Sequence, residues 1–534
     1  MLFNSNTFLF AFLPTVFVGF LLINRYLGIA YAQLWLAAAS IIFYGWANWE
    51  FVPLLLFSIT VNYIVGGTLS RRRAMGLLTP GILGLGVVFN LLLLGYFKYA
   101  GFLDANVEAA TGVSLGLMGV VLPVGISFYT FTQIAFLVDA ARGDAQEYDL
   151  KRYVLFVTFF PHLIAGPIIH HKEMMPQFAR LTAKGETLEN LSVGLVLFAI
   201  GLAKKCIIAD PLGSFASPIF ARAESGEELH FFIAWAGVLA YTFQIYFDFS
   251  GYSEMAIGLA RMFGVKFPAN FNSPYKATSI VDFWRRWHMT LSRFLRDYVY
   301  VPLGGNRKGD LRRYVNLMAV MLVGGLWHGA SWTFVLWGGL HGSYLLVNHA
   351  WSAACEKQLL PISAVRAIGH ASWALTFFAV TVAWVTFRAE SLDGAFRLYQ
   401  AMFLFDGLSL PVEAEQVVRA LLPATWASTI QFFAENSREQ FYLGLIWIFV
   451  AAGIAFLMPN ALQITAAARP TTDFAAVSAQ WAKAAQRPVL AAFSRTLPRL
   501  ALGTSGAIAW GMLLFLAVRT INAAVETEFL YFQF

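Results

Sequence analysis

The sequence predicts an all-α polytopic membrane protein, and three observations carry that expectation. Of its 534 residues, 58% are hydrophobic and only 13% charged, against about 45–50% apolar and about 25% charged in a soluble domain. The apolar residues fall in runs long enough to cross a bilayer, which takes about 20 residues at a rise of about 1.5 Å each. The basic residues gather where those runs end.

Taken in order, the runs begin with 7–24, whose first positive charge, Arg25, comes only after it. With no basic segment in front, a cleaved signal peptide is not expected, and the first helix is retained. Apolar runs follow at 30–48, 51–69, 77–97, 117–139, 190–209 and 231–249. Segment 152–169 is apolar too, but Pro161, Gly166 and Pro167 interrupt it, so a bent or re-entrant helix is expected there. After the central region come 314–327, 331–350, 367–387, 441–458 and 504–522. The expected total is about ten to thirteen transmembrane or re-entrant helices.

Residues 1–402 read as one membrane domain without a linker or fixed-period repeat, and 403–534 as a C-terminal part. In that part the charged stretch 403–440 and the Ala-rich, basic stretch 459–502 read as interfacial or extramembrane excursions, the second as an amphipathic surface helix. Phe529-Leu-Tyr-Phe-Gln-Phe reads as an aromatic interfacial cluster.

The formal charge is +7, concentrated at Arg25, Arg71 to Arg73, Arg142, Lys151, Arg152, Lys204, Lys205 and the 285–313 stretch. Positive-inside reasoning places those ends in the cytoplasm and the N-terminus outside. Alternation with membrane spans makes lipid headgroups and topology, rather than nucleic acid, the meaning of the basic clusters. Two separated cysteines, Cys206 and Cys355, support neither a disulfide scaffold nor a cysteine metal site.

The stretch from Asp248 to Arg313 crowds glycine, proline, aromatic and charged residues together, and an irregular backbone is expected near the bilayer. Within it, 280–298 has helical periodicity: Trp284, Trp287, His288, Leu291 and Leu295 share one face, with Arg285, Arg293 and Arg296 on the other. This predicts an interfacial helix anchored by Trp284 and Trp287. Pro302-Leu-Gly-Gly-Asn-Arg then predicts a tight turn.

His328 is the most informative residue, set in Gly324-Gly-Leu-Trp-His-Gly-Ala-Ser-Trp between two apolar runs. An ionisable group at membrane depth costs about 2.5–3.5 kcal/mol even on the gentlest scale, so it marks a functional site by default. Together with His288 it suggests proton transfer, since a buried imidazole stays neutral and can accept a proton from a hydroxyl. Each histidine alone is also compatible with a structural hydrogen bond to a helix backbone. The glycines around His328, Gly329 among them, permit a thin tunnel or simple helix packing. His341 in the next span reads first as structural, although it can face the same cavity. His162, His170 and His171 lack acidic or cysteine partners at ligand spacing, and no metal is expected. Gly112-Val-Ser-Leu-Gly matches a nucleophile elbow by letter but lacks its strand–turn–helix context. Arg285, Arg286, Arg293, Arg307 and Lys308 suit the phosphates of a coenzyme A donor, or headgroups equally well.

Seven strings in order resemble the membrane-bound O-acyltransferase family, specifically its bacterial alginate O-acetyltransferase branch. They are Met1-Leu-Phe-Asn-Ser, Leu122-Pro-Val-Gly-Ile-Ser-Phe-Tyr-Thr-Phe, Phe160-Pro-His-Leu-Ile-Ala-Gly-Pro-Ile and Gln244-Ile-Tyr-Phe-Asp-Phe-Ser-Gly-Tyr-Ser, followed by Phe283-Trp-Arg-Arg-Trp-His, Pro302-Leu-Gly-Gly-Asn-Arg and Gly325-Leu-Trp-His-Gly. The likeness covers 1–390 well and the rest loosely; Glu254 and His162 depart from the family pattern.

The resemblance implies a ring of tilted helices around a thin centre with a central tunnel. It places the family's near-invariant histidine on His328 and its polar partner on His288. It implies acetyl transfer from acetyl-coenzyme A, a donor substrate rather than a tightly bound cofactor, towards hydroxyls of an exported polysaccharide such as alginate. A periplasmic acetyltransferase partner and a bacterial inner-membrane location, multi-pass with a periplasmic N-terminus, come with it. On this reading His328 is the general base, His288 positions a substrate or assists the proton, Trp327, Trp287 and Gly329 shape the site with His341 beside it, and Arg285 receives the donor. Rivals are acyl or D-alanyl transfer to peptidoglycan, teichoic acid or cellulose, a transporter, and a non-catalytic scaffold. Transporters of this size often show two related halves, which are not visible here.

Overall fold

The computed structural model describes all residues except 47, 118, 146–148, 182–186, 405–408, 413–414, 422–430, 434–437, 485–502, 524–526, 528 and 531–534. It is an all-α polytopic architecture. Eight helices among the described residues are long and apolar enough to cross a membrane: Thr7–Tyr26, Trp49–Ala74, Pro80–Thr111, Thr187–Ser225, Phe231–Met262, Ile362–Arg388, Glu439–Leu457 and Thr504–Ala523. Ile29–Gly45 is apolar but shorter. The runs expected at 117–139, 314–327 and 331–350 correspond to helices Ile126–Arg142, Asp310–His328 and Trp332–Glu356. These three helices are not apolar enough over a membrane-spanning length to meet the same criterion, and Ile126–Arg142 has only 17 residues.

Phe231–Met262 forms the centre, and every residue from Ala240 to Met262 is buried. A helix enclosed by protein has no solvent face, so its polar residues Gln244, Asp248, Glu254 and Arg261 are buried with the rest. It packs on Thr187–Ala203 through paired glycines. A methyl on Gly251 would lie 2.7 Å from the Gly201 carbonyl, and one on Gly258 would lie 2.6 Å from that of Gly194. The expected irregularity at Asp248 is therefore corrected: Asp248 to Ser253 is helical, and its glycine serves close packing. Irregular backbone begins after Met262 and continues to Ile280, apart from a short turn at Pro274–Lys276.

Lys204 and Lys205 also correct the topological reading. They sit within the continuous Thr187–Ser225 helix, in a π turn at Lys204–Ala209, and both are buried. Lys204 pairs with Glu254, and Lys205 lies 2.8 Å from both Asp248 and Asp210. Glu254, one of the two departures from the family pattern, thus has an ion-pair partner in the fold. The Asp248 carboxylate also accepts the Leu530 backbone N–H at 3.1 Å, while Phe529 packs edge-on against Tyr252 at 4.6 Å. Phe529 and Leu530 are buried rather than interfacial; residues 531–534 of that cluster lie outside the described residues.

Segment 152–169 is broken as its prolines predict. Helix Leu150–Thr158 stops at Phe159, a short turn Phe160–Leu163 follows, and the chain stays buried to His171. Leu303 to Arg307 turns as expected, with Gly304 and Gly305 at φ 106° and 54°. In the 459–502 stretch, Phe474–Ala484 is helical but not a free surface helix: Val477 is buried against Ala269 and Leu462, and the Trp481 indole donates to Asn272 at 2.7 Å. Its continuation, 485–502, lies outside the described residues, as does much of 403–440. The described parts of 403–440 include a three-residue parallel pairing of Ser409–Pro411 with Gln431–Phe433.

Candidate active site

His328 is the last residue of helix Asp310–His328, and chain reversal at Gly329 leads into Trp332–Glu356. The two helices pack face to face because glycines remove side chains between them. A methyl on Gly325 would strike the Phe334 carbonyl, and one on Gly338 the Met321 carbonyl. Gly329 serves the same purpose: a methyl there would occupy the Phe334 ring. It therefore fixes the turn rather than lining a tunnel.

The last four carbonyls of a helix have no N–H of a following turn to accept from. Here the Lys98 ammonium donates to the carbonyls of Trp327 at 2.6 Å and His328 at 3.1 Å. The Tyr99 hydroxyl donates to Leu326 at 2.7 Å. Lys98 also reaches Ser127 Oγ at 3.4 Å. A cation at a helix C-terminus is favourable by about 0.3–1 kcal/mol when exposed and up to about 2 kcal/mol when partly buried. Sequence reading missed Lys98, a lone lysine that stands one residue past the apolar run 77–97.

His288 comes from a different element. The predicted 280–298 helix is interrupted: Ile280–Trp284 ends, His288 adopts φ 42° and ψ 52°, and Met289–Leu295 begins after it. A left-handed non-glycine residue costs about 1–3 kcal/mol and persists only where its surroundings hold it. Backbone bonds from two asparagine positions hold it. Asn272 N–H donates to the Arg286 carbonyl at 2.9 Å, and Met289 N–H to the Asn270 carbonyl at 2.9 Å. These bonds give partners to the Arg286 carbonyl and the Met289 N–H, which lose their helical ones at the break.

The Asn270 side chain completes the clamp. Its Oδ1 accepts from Thr290 N–H at 3.3 Å and Thr290 Oγ1 at 2.9 Å, and its Nδ2 donates to Ser253 Oγ at 3.0 Å. An oxygen in that position can only accept, so His288 Nδ1, 3.1 Å away, carries the hydrogen. The basic lone pair then resides on Nε2. Burial holds the His288 imidazole well below the ordinary histidine range, so it is neutral near pH 7. Asn270 was not singled out from the sequence. Replacing it with alanine is expected to lower acyl transfer about 10- to 100-fold by loosening the imidazole, while Asn270→Asp, which keeps the acceptor, retains more. Transfer rates of the two variants in native membranes check this.

The two imidazoles converge. Their ring centroids lie 6.1 Å apart at an interplanar angle of 56°, and both are buried. Trp327 lies against both, 5.9 Å from His288 and 5.0 Å from His328. Trp337 and Phe387 each meet His328 edge-on at 5.2 Å. Trp287 does not anchor an interface; it is buried and packs on Phe271, Phe283 and Trp384. It supports the break at His288 from behind.

His341 is fully buried, 4.8 Å from Trp337, 5.2 Å from Trp284 and 6.0 Å from Phe283. Neither of its ring nitrogens has a hydrogen-bond partner among the described residues. Trp284 in turn lines a cavity of about 770 Å³ whose walls include Arg285, Arg296, Arg313 and Lys357 together with Asp310 and Glu356. Trp284, His341 and Trp337 therefore form one aromatic layer between that charged cavity and His328. Arg285 is exposed and lines the cavity. His162 binds the Phe156 carbonyl at 2.8 Å, and His170 Nδ1 lies 3.0 Å from the Tyr298 hydroxyl. Among the described residues no group of three or more His, Cys, Asp or Glu has metal-ligand geometry.

Comparison with known proteins places this chain in a family. The family model for membrane-bound O-acyltransferases matches residues 72–389, which include both histidines. The chain belongs to the membrane-bound O-acyltransferase family. It is 40% identical over 546 residues to the probable alginate O-acetylase of Azotobacter vinelandii, covering 100% of each chain. It is 42% identical over 436 residues to the peptidoglycan O-acetyltransferase of Helicobacter pylori, covering 77% of this chain and 81% of that one. Similarity to the teichoic acid D-alanyltransferase of Streptococcus thermophilus is 29% over 240 residues, 43% of this chain and 57% of the other. The membrane-bound O-acyltransferase described here is thus a multi-pass membrane enzyme.

Proposed function

We propose that this O-acyltransferase moves an acetyl group from acetyl-coenzyme A towards hydroxyls of an exported polysaccharide such as alginate, with His328 as general base. The observation that carries the reading is the convergence of His288 and His328 one aromatic layer from a basic cavity. Full-length similarity to an alginate O-acetylase supports the acetyl group and the polymer. The cavity at Arg285, Arg296, Arg313 and Lys357 suits the phosphates of coenzyme A, and its volume of about 770 Å³ suits a ligand of that size. On this reading the thioester end reaches the imidazoles past the aromatic layer of Trp284, His341 and Trp337.

In the transfer itself, His328 removes the acceptor hydroxyl proton as the oxygen attacks the thioester carbonyl. The carbon–sulfur bond breaks, and the coenzyme A thiolate takes up the proton from the imidazolium. His288, oriented through Asn270, positions the reactants with Nε2. The acceptor is either the polymer hydroxyl or a periplasmic acetyltransferase that completes the delivery. The basic end faces the cytoplasm of a bacterial inner membrane, and the N-terminus faces the periplasm. Peptidoglycan is the second reading, favoured by the 42% identity to the Helicobacter pylori enzyme.

Native membranes supplied with acetyl-coenzyme A labelled in its acetyl group test this. Label is expected in exported polymer, with stoichiometric coenzyme A release. Label in peptidoglycan alone selects the second reading, and absence of coenzyme A release rejects acetyl-coenzyme A as donor.

A further inference from the structure

We propose that Lys98 is a positioning residue of the transfer reaction: its ammonium group seats the end of the Asp310–His328 helix and thereby the imidazole of His328. This rests on the reading of His328 as the base.

The geometry is specific. Lys98 and Tyr99 are consecutive, yet both reach the same helix end, binding the carbonyls of Leu326, Trp327 and His328. They do so from a π turn, Gly95–Tyr99, that interrupts the long Pro80–Thr111 helix. A π turn spends one extra residue per turn and is enriched at functional positions. Here the widened turn directs neighbouring side chains to adjacent carbonyls. Lys98 also lies 5.9 Å from the Trp327 ring centroid, over the indole that separates it from the histidine pair. Ser127 Oγ joins it to the start of Ile126–Arg142, so three elements meet at one ammonium. Among the described residues no carboxylate forms an ion pair with Lys98; its acceptors are helix carbonyls and a hydroxyl.

The consequence follows from the place of His328. It is the terminal residue of its helix, so its side chain is only as well placed as the last turn. Within a membrane, water is not at hand to replace lost partners of those carbonyls. A frayed last turn would displace the imidazole, and a misplacement of about 1 Å costs about 100-fold in rate.

The test compares Lys98→Met, Lys98→Arg, Tyr99→Phe and His328→Ala in native membranes, following coenzyme A release at varied acetyl-coenzyme A. Lys98→Met is expected to lose about 10- to 100-fold in kcat with KM for acetyl-coenzyme A unchanged. Lys98→Arg should recover most of the loss, because it keeps a cation on the same carbonyls, and Tyr99→Phe should lose less than Lys98→Met. Full kcat in Lys98→Met, or a loss that Lys98→Arg does not relieve, overturns the assignment of Lys98. Activity in His328→Ala overturns instead the reading of the base on which it rests.

Discussion

His328→Ala is expected to lower acetyl transfer by about 10²–10⁴-fold, the contribution of a positioned general base. The protein should still insert and purify, because helix packing at this point depends on Gly325, Gly329 and Gly338 rather than on the imidazole. His328 lies among aromatic rings of Trp327, Trp337 and Phe387, which can close partly over a small void. Coenzyme A release at equal protein level is the measurement. Near-normal turnover would remove proton abstraction by this residue from the mechanism.

The second large effect concerns stability. Lys205→Met is expected to destabilise the protein by about 3–5 kcal/mol, because it leaves buried carboxylates without their cation. The side chains of Lys205 and Asp248 are 3% and 2% exposed, whereas Asp210 at 22% can still reach polar surroundings. The burden therefore falls on Asp248. Removing both charges, as Lys205→Met with Asp248→Leu, should recover a large part of the loss, since no isolated charge then remains at the centre. Thermal unfolding in detergent of the two variants beside the parent reads the difference. A Lys205→Met protein as stable as the parent would mean that the cluster contributes nothing to the fold.

Much of the architecture was legible because membrane spans announce themselves by length and apolarity alone. His328 was legible for a related reason: an ionisable side chain between apolar runs is costly, so its presence needs a purpose. The break at 285–288 was not. No glycine or proline marks it, and Trp284, Trp287, His288, Leu291 and Leu295 keep a helical spacing across it. Asn270 and Asn272, distant in sequence, supply the bonds that make the left-handed turn at His288 tolerable. Lys204 and Lys205 misled in the opposite sense. A basic pair at the end of an apolar run has the pattern of a topology signal, and only the fold shows Glu254 and Asp248 opposite. Lys98 escaped because it lies one residue beyond the run 77–97, while its partners are backbone carbonyls, which sequence pattern never displays.

The central claim is that two neutral imidazoles act as one unit, and a double-mutant cycle on His288 and His328 addresses it most directly. Coenzyme A release is measured for the parent, each alanine variant and the double variant at matched protein level. Residues of one catalytic unit are strongly non-additive, so the double variant should be no more than a few-fold slower than the worse single one. Losses that multiply as independent factors, or parental turnover in either single variant, would contradict the account.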